Sequence, residues 1–264
     1  MKKLIISFIL LFLIFCLFAQ NPEWSWVVQF GSADYDDGSQ ITSDESGNIY
    51  LIGSFNDTAT FGSETLTSFG ERDIYITKMD TDGNLIWVSQ AGGISTDIGI
   101  DIETDNDGNI YITGSFWDTI QFGSLSLTSF GANDIFIAKL DSDGNWLWVA
   151  QGGGISEDMV SSIAIDDNCN AYITGGFFND IIFGTYSLNN NGYGNLYIAI
   201  IDSNGTWQWA NQIDEGTTHV FGQNISIVND GNLMVTGSFY EGSVSFGPYT
   251  LINNSYNQTI FVAK

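Results

Sequence analysis

Histidine, cysteine and basic residues are all scarce in this chain. Its 264 residues include one His, two Cys and six Lys plus Arg, against 31 Asp plus Glu. A single His leaves almost no material for histidine-based triads or for metal sites with several His ligands. Two Cys exclude a small fold held together by disulfides. The lack of heptads and of a three-residue glycine period excludes coiled coils and collagen.

The residues that are abundant suit a folded and acidic protein. Apolar residues make up 44% of the chain and aromatic residues 14%, which is enough to build a core. The formal net charge of −25 repels phosphate backbones and anionic lipid, so nucleic acid and membrane surfaces are not expected as partners. The simplest interpretation of the charge is a solvated acidic coat that favours solubility and association with cations.

Residues 1–20 have the order of a secretory signal peptide. Lys2 and Lys3 precede an apolar run from Leu4 to Phe18, which is followed by small and polar residues. The run is shorter than the roughly 20 residues that a membrane-spanning helix needs. We expect cleavage near residue 20 and no membrane insertion afterwards. The mature chain, 21–264, is then expected to be secreted or held at a bacterial cell surface.

The most informative feature is an internal repeat of about 61 residues. Tryptophans recur at a spacing of 61, and a glycine follows each at nearly the same interval, in the positions Trp26, Trp87, Trp148, Trp209 and Gly53, Gly114, Gly175, Gly237. The phrases NIYLIGSF, NIYITGSF, AYITGGFF and NLMVTGSF recur with them. The chain therefore divides into repeats at 26–86, 87–147, 148–208 and 209–264. The fourth repeat carries small insertions near residues 214–219 and between 237 and 246.

Each repeat is predicted to form β-strands. In the first repeat these are residues 39–44, Asn48–Phe55, Asp73–Met79 and Asn84–Gln90, joined by tight turns such as Asp82-Gly83. Thr60–Ser68 is predicted to be an extra hairpin at the rim. The second and third strands are apolar on both faces, which is typical of small sheets packed between two neighbours. The pattern favours an all-β propeller, with the Trp as a wedge between blades and the Gly at a close approach.

The recurring phrases resemble a known family. W-V-x-Q-x-G-G, D-G-N-I-Y-I-T-G-S-F, F-G-x-x-x-L-T-S and D-I-F-I-A-K-L-D-S-D-G-N are similar to the SBBP-type β-propeller repeat, and the resemblance covers residues 24–264. It implies a propeller and an exported, surface-associated bacterial protein, with no defined activity. Two arrangements stay open. Residues 23–29 match the fourth-strand phrase and would close a four-bladed ring by completing the last blade, or the chain is part of a larger propeller.

Six residues are candidates for a binding site. Asp36, Asp97 and Asp158 recur after a glycine-rich segment, and they are interpreted either as turn caps or as a ring of carboxylates at the propeller mouth. His219 falls at or next to the matching place in the fourth repeat. Trp117 and Phe178 share one repeat position, where an aromatic ring would stack on a sugar or pack against the rim hairpin.

Three turn motifs resemble the start of a calcium loop. They contain the pairs Asp80 and Asp82, Asp105 and Asp107, and Asp141 and Asp143. Alternating carboxylates suit a hard cation, but the distant bidentate Glu of a calcium loop is missing, so the hairpin-turn interpretation is favoured. Calcium is the one cofactor that the sequence suggests.

The function that the sequence favours is an exported, non-enzymatic binding or scaffold module at the cell surface, with a protein or glycan as its ligand. The alternative is a propeller enzyme that acts on glycans, a lyase or hydrolase in which paired carboxylates serve as acid and base. The two hypotheses differ in one structural expectation. An enzyme needs two carboxylates that converge in a pocket, with at least one raised pKa.

Overall fold

The computed structural model describes residues 23–190, 194–213 and 218–264. Every regular element in these residues is a β-strand, which confirms the all-β prediction. No helix in the described part of the chain is long and apolar enough to cross a membrane. The predicted signal peptide, residues 1–20, lies outside the described residues.

The main strands of the described residues form four antiparallel sheets, and each sheet together with the rim hairpin that follows its second strand is here called a blade. Blade 1 contains β1 (Asp36–Ser43), β2 (Ile49–Phe61), β3 (Glu64–Met79) and β4 (Leu85–Gly93). Blade 2 contains β5 (Asp97–Thr104), β6 (Ile110–Phe116), β7 (Thr119–Phe122), β8 (Leu125–Thr128), β9 (Asp134–Leu140) and β10 (Trp146–Gly153). Blade 3 contains β11 (Asp158–Ile165), β12 (Ala171–Phe177), β13 (Ile181–Phe183), β14 (Tyr186–Leu188), β15 (Asn195–Ile201) and β16 (Trp207–Gln212). Blade 4 contains β17 (Val220–Ile227), β18 (Leu233–Phe239), β19 (Gly242–Phe246), β20 (Tyr249–Asn253) and β21 (Thr259–Ala263).

The main strands of a blade pair in chain order, and a rim hairpin branches between the second and third of them. In blade 1 the hairpin is the outer half of β2 and β3, where Thr58 to Phe61 pair with Glu64 to Thr67. In blade 2 the hairpin β7–β8 pairs with β4 of the preceding blade, through Gly92 with Gln121 and Gly93 with Ile120. The hairpin of blade 3 joins β10 in the same way. The predicted rim hairpin is therefore present, and it also links neighbouring sheets.

The apolar core lies between the blades. One cluster joins Ile52 and Ile74 of blade 1 to Ile112 and Phe136 of blade 2, all of them fully buried. Gly99 sits at the contact, where a Cβ would lie 2.6 Å from Cγ1 of Ile52. Equivalent clusters join blades 2 and 3 and blades 3 and 4. Strands that are apolar on both faces are explained by a neighbouring blade on each side.

Two of the repeated tryptophans, Trp87 and Trp148, join neighbouring blades, as predicted. Nε1 of Trp148 donates a hydrogen bond to the carbonyl oxygen of Ser203 at 3.0 Å, in the β15–β16 turn of the next blade. Trp87 contacts Ser142 in the same way at 3.1 Å. The glycine of the second strand marks a close approach, also as predicted, because a Cβ on Gly114 would lie 2.0 Å from the carbonyl oxygen of Ile98.

Closure of the ring by the N-terminal segment is not found in the structure, and this corrects one of the two sequence-based alternatives. Residues 23–30 form no strand, and β21 pairs with β18 alone. Trp26 instead donates to the carbonyl oxygen of Thr81 at 3.0 Å, and Gly31 bridges to Thr60. The segment therefore lies along blade 1, in the position that a fourth strand takes against the next blade.

Candidate functional site at the blade junctions

Two of the three recurring aspartates are buried between blades. Asp97 begins β5 and Asp158 begins β11, and both are 0% exposed. Asp36 is half-buried, and its carboxylate accepts hydrogen bonds from the backbone N–H of Ser32 at 2.6 Å and from the Ser32 hydroxyl at 3.0 Å. The turn-cap interpretation fits Asp36. An open ring of three carboxylates at the mouth does not fit, because the neighbouring blades enclose Asp97 and Asp158.

A second carboxylate from the preceding blade accompanies each buried aspartate. Asp73 lies near Asp97, and Asp134 lies near Asp158; both are 0% exposed. Oδ2 of Asp73 accepts hydrogen bonds from the Phe69 backbone at 2.9 Å and from Nε2 of Gln90 at 2.6 Å. The sequence analysis did not select Asp73 and Asp134. The repeat pattern could have identified them, because they lie 61 residues apart and begin the phrases DIYI and DIFI.

Glycines make room for these carboxylates. A Cβ on Gly92 would lie 2.1 Å from Cγ of Asp73, and one on Gly93 would lie 3.6 Å from Oδ2 of Asp97. At the next junction, a Cβ on Gly153 would lie 2.1 Å from Cγ of Asp134. The first glycine of the recurring Gly-Gly is therefore required by packing against an acidic side chain, and the second by a carbonyl oxygen of the next rim hairpin, which is that of Thr119 at 2.1 Å for Gly93.

Burial and mutual repulsion raise the pKa of these acids. Desolvation is the main cause for Asp97, followed by the charge of Asp73, and together they raise its pKa to about 8. Desolvation and the charge of Asp134 raise the pKa of Asp158 to about 8. Burial also raises the pKa of Asp134 itself, to about 6. At neutral pH Asp97 and Asp158 are therefore mostly protonated when no cation is bound.

The junction between blades 3 and 4 has different chemistry. Asn195 takes the place of Asp73 and Asp134, and His219 lies beside the position of Asp97 and Asp158. Nδ1 of His219 accepts a hydrogen bond from the backbone N–H of Gly194 at 2.6 Å. The rings of Phe178 and Phe221 lie 6.0 and 6.2 Å from the His219 ring. The structure thus brings together two predicted residues, His219 and Phe178, in one aromatic cluster.

Trp117 and Phe178 are half-buried, each at its own junction. Trp117 follows β6, and its backbone N–H lies close enough to lower the pKa of Asp97. Phe178 follows β12 and packs within the cluster around His219. A ring that stacks on a sugar has to be freely exposed, and neither of these rings is. Both side chains pack at a blade junction instead.

The six turn aspartates adopt the predicted hairpin geometry. Oδ1 of Asp80 accepts the backbone N–H groups of Asp82 and Asn84, at 2.9 and 2.8 Å. Asp105 and Asp141 likewise accept hydrogen bonds from the backbone N–H groups two and four residues later in their own turns. The hydrogen bonds from Asn84 lower the pKa of Asp80. Asp82, Asp107 and Asp143 are exposed. The first aspartate of each motif thus uses its oxygens to hold the turn.

Among the described residues, one group of three His, Cys, Asp or Glu side chains could hold a metal ion: Asp105, Asp107 and Cys169, with ligand atoms within 4.8 Å of one another. Nζ of Lys139 lies 3.2 Å from Oδ2 of Asp105, and both side chains are almost fully buried. Lys139 also lies over the ring of Tyr111. A cation, the ammonium group, is thus already part of this cluster.

The innermost strands carry two further acids that the sequence analysis missed. Oδ2 of Asp101 accepts the backbone N–H of Ile163 in the next blade at 2.9 Å, and Oε2 of Glu103 accepts the hydroxyl of Thr42 at 3.3 Å. Desolvation raises the pKa of both acids. The equivalent positions in other repeats are not acidic, so no recurring pattern identified them. These bonds join the first strands of adjacent blades.

Exposed apolar side chains lie above two of the junctions. Phe69 and Ile94 are 61% and 74% exposed, and the equivalent residues Phe130 and Ile155 are 58% and 79% exposed. The segments touch, because a Cβ on Gly70 would lie 2.2 Å from the Ile94 carbonyl oxygen. We call these four side chains the junction surface. Beside it, Phe69 and Ile94 help to line a cavity of about 290 Å³ that also contains Gly92, Gly93 and Asp118.

A second cavity lies on the face of blade 1 that points away from blade 2. It has a volume of about 320 Å³ and is lined by Asp36, Gly38, Tyr75 and residues of the N-terminal segment. At the equivalent place in blade 2, Ile52 and Ile74 of the preceding blade pack against Gly99. The cavity therefore corresponds to the space that side chains of a preceding blade fill elsewhere. Its position explains why Asp36 is less buried than Asp97.

Comparison with known proteins agrees with this architecture. A family model described as the SBBP beta-propeller repeat matches residues 25–56 and 86–115. An uncharacterized WD repeat-containing protein of Acanthamoeba polyphaga mimivirus is 25% identical over 222 residues, which cover 70% of this chain and 16% of the relative. The regulatory protein FlaEY of Caulobacter vibrioides is 23% identical over 169 residues, 61% of this chain and 18% of FlaEY.

The chain thus spans less than a fifth of the length of each of these relatives. Residues 86–115 run from the fourth strand of blade 1 through the second strand of blade 2, and residues 25–56 are the repeat-equivalent stretch from Trp26 into β2. The main strands of each blade pair in the same order along the chain. The chain is an all-β repeat protein of the β-propeller type, and two of its segments match the SBBP beta-propeller repeat.

Proposed function

We propose that this chain is an exported, non-enzymatic binding module that recognises a protein or glycan at the bacterial cell surface through its junction surface. The observation that carries the proposal is the exposure of Phe69, Ile94, Phe130 and Ile155 at repeat-related positions. Large apolar side chains that are exposed in groups mark interaction sites on folded proteins. Here they sit on segments that the two blades hold together.

Three further features support a binding role. The segments of the junction surface are tied down, since Thr96 donates to Glu71 at 2.7 Å and Ser95 donates to Asp118 at 2.6 Å. A surface that is ordered before binding loses less entropy when a ligand arrives. The relatives are named as a WD repeat-containing protein and a regulatory protein, which suits a scaffold. The order of residues 1–20 supports export.

The alternative, a glycan-active enzyme, rests on the coupled carboxyl pairs. Asp73 and Asp97 approach each other and the pKa of Asp97 is raised, as a general acid requires. Both side chains are nevertheless 0% exposed, so a substrate has no access to them in this structure. The binding role is therefore the better supported of the two.

The proposal is tested on the mature chain, residues 21–264, with glycan arrays and a displayed peptide library, followed by affinity measurements on the best ligand. Replacing Ile94 and Ile155 by Ser should weaken binding at least tenfold. The matched control replaces Ile86 and Leu147 by Ser, because these side chains are exposed and repeat-related but lie on the fourth strands. Equal losses in both variants would argue against the junction surface. Turnover on a glycoside panel that disappears in Asp97→Asn would favour the enzyme.

A further inference from the structure

We propose that the junctions between blades 1 and 2 and between blades 2 and 3 each bind one divalent cation, with Ca²⁺ as the favoured ion, between paired aspartates. The first site contains Asp73 and Asp97, and the second contains Asp134 and Asp158. These sites are distinct from the hairpin-turn motifs, whose first aspartates are occupied by backbone N–H groups. They are also distinct from the junction surface that the proposed function uses.

The first argument is that three of the four carboxylate oxygens in each pair accept no hydrogen bond of normal geometry. These are both oxygens of Asp97 with Oδ1 of Asp73, and both oxygens of Asp158 with Oδ1 of Asp134. The backbone N–H groups of Gly93 and Trp117 beside Asp97, and of Gly154 beside Asp158, are near enough to lower the pKa of these acids but do not reach hydrogen-bond geometry. The three ion pairs among the described residues involve Asp37, Asp105 and Asp230, so none of these four acids has a basic partner. A buried carboxylate without a partner is costly, and a cation removes that cost.

The second argument is that other contacts orient one aspartate of each pair, Asp73 or Asp134. Oδ2 of Asp134 accepts the Phe130 backbone N–H at 2.9 Å and Nε2 of Gln151 at 3.1 Å, and this leaves Oδ1 available. Asp73 is held in the same way by Phe69 and Gln90. Groups that orient a ligating carboxylate through its second oxygen are typical of metal sites.

The third argument comes from the remaining junction, where the same fold position has no carboxylate pair. Asn195 takes the place of Asp73 and Asp134, and Val220 pairs with Phe239 as Asp97 pairs with Phe116. His219, next to Val220, accepts a hydrogen bond from the Gly194 backbone. The packing between blades therefore does not itself require acids. Both acids are present at two junctions and both are replaced at the third, which indicates that they act as a pair.

The donor set selects the type of ion. Three carboxylate oxygens are hard ligands, and the two carboxylates together balance a charge of +2. Ca²⁺ accepts flexible oxygen coordination at a mostly dehydrated site, whereas Mg²⁺ retains several waters and demands octahedral geometry. A fully buried pair beside a glycine-lined wall therefore fits Ca²⁺ better.

The experiment measures Ca²⁺ binding to the metal-free mature chain by isothermal titration calorimetry at constant ionic strength, together with the melting temperature in Ca²⁺ and in EDTA. We expect two saturable sites per chain and a higher melting temperature in Ca²⁺. Asp97→Asn should leave one site, and Asp97→Asn with Asp158→Asn should leave none, with no remaining response of the melting temperature to Ca²⁺. Asp73→Asn with Asp134→Asn serves as a second variant if the first folds poorly.

The matched control is Asp82→Asn with Asp143→Asn, which removes two charges from exposed turn carboxylates. It should keep both sites. Absence of saturable Ca²⁺ binding to the unaltered chain would overturn the proposal, and so would loss of the sites in the turn variant with retention in the junction variants. Ligand binding at the junction surface is read separately with the Ile94→Ser and Ile155→Ser variant, so each proposal can fail without the other.

Discussion

The indole of Trp148 in blade 2 donates a hydrogen bond to the carbonyl oxygen of Ser203 in blade 3, at 3.0 Å. The ring also covers Gly205, where a Cβ would lie 2.8 Å from Cδ2 of the indole. One side chain thus fastens the fourth strand of a blade to the last turn of the next. The contact recurs at Trp87. The repeat predicted a tryptophan packed between blades, and the hydrogen bond to the turn was not foreseen.

Trp148→Ala should destabilise the protein by roughly 2–4 kcal/mol, since the residue is half-buried and the substitution removes packing, a hydrogen bond and the cover of a turn. Urea unfolding of the mature chain measures the change. Trp209→Ala is the control, because Trp209 is 38% exposed and should cost clearly less. Equal costs at the two positions would show that the contact between blades contributes nothing specific.

Gly114→Ala should lower the melting temperature markedly, because the new Cβ would meet the Ile98 carbonyl oxygen at 2.0 Å and the Phe136 ring at 2.6 Å. Gly38→Ala is the matched control in a strand. Its nearest neighbour is Cδ1 of Leu51 at 3.4 Å, and no preceding blade packs on it. We expect Gly38→Ala to change stability little. A variant at Gly114 as stable as the unaltered protein would contradict the close approach.

Lys139→Met should destabilise the protein by about 3–5 kcal/mol, because it leaves the fully buried carboxylate of Asp105 without its cation. Hydrogen bonds from Asn109 and the charge of Lys139 outweigh desolvation and lower the pKa of Asp105, so that pKa should rise in the variant. Lys78→Met is the control at the same repeat position, where the ammonium group donates to the Ser142 carbonyl at an exposed site. Its cost should stay under about 1 kcal/mol. Similar costs for the two lysines would argue against the buried pair.

The metal-free protein should lose stability as the pH rises through the acidic and neutral range. The pKa of Asp97 is about 8 in the folded state against an ordinary value of 3.8, so the folded chain holds a proton that the unfolded chain releases. The pKa of Asp158 is also about 8 in the folded state, so this residue holds a second such proton. The contribution of both is full below about pH 4, falls as the pH rises, and is lost above about pH 8.

Unfolding in EDTA between pH 4 and pH 9 measures this dependence. The double variant Asp97→Asn with Asp158→Asn should show a flatter profile and should be the more stable protein at pH 8, because an amide cannot ionise. A profile that is parallel to that of the unaltered chain would show that these two acids do not titrate with folding.

The repeated elements were predictable because each position is determined by the same neighbours in every repeat. The spacing of Trp87 and Trp148, and the chemistry of Asp82-Gly83, lead directly to a wedge and a turn. The environment of Asp97 was not predictable in this way. Whether an aspartate at the start of a strand faces solvent or a carboxylate such as Asp73 depends on how the preceding blade packs against it.

Asp101 and Lys139 illustrate the same limit. Asp101 bonds to the backbone of Ile163, a residue 62 positions away, and the pattern of one strand carries no information about that contact. Lys139 reaches Asp105 across a blade, although the repeat-related Lys78 stays near the surface. Periodicity identified the scaffold, and the differences between repeats determined where charge is buried.

The pairing of Gly92 and Gly93 with the hairpin of the next blade determines how such a protein can be lengthened or shortened. A duplication that copied one whole sheet would have to break this pairing and the tryptophan contact beside it. A duplication that runs from the fourth strand of one sheet to the third strand of the next would carry both contacts intact. Genetic recombination should therefore tolerate breakpoints between the third and fourth strands, and an engineer adding a blade should cut there.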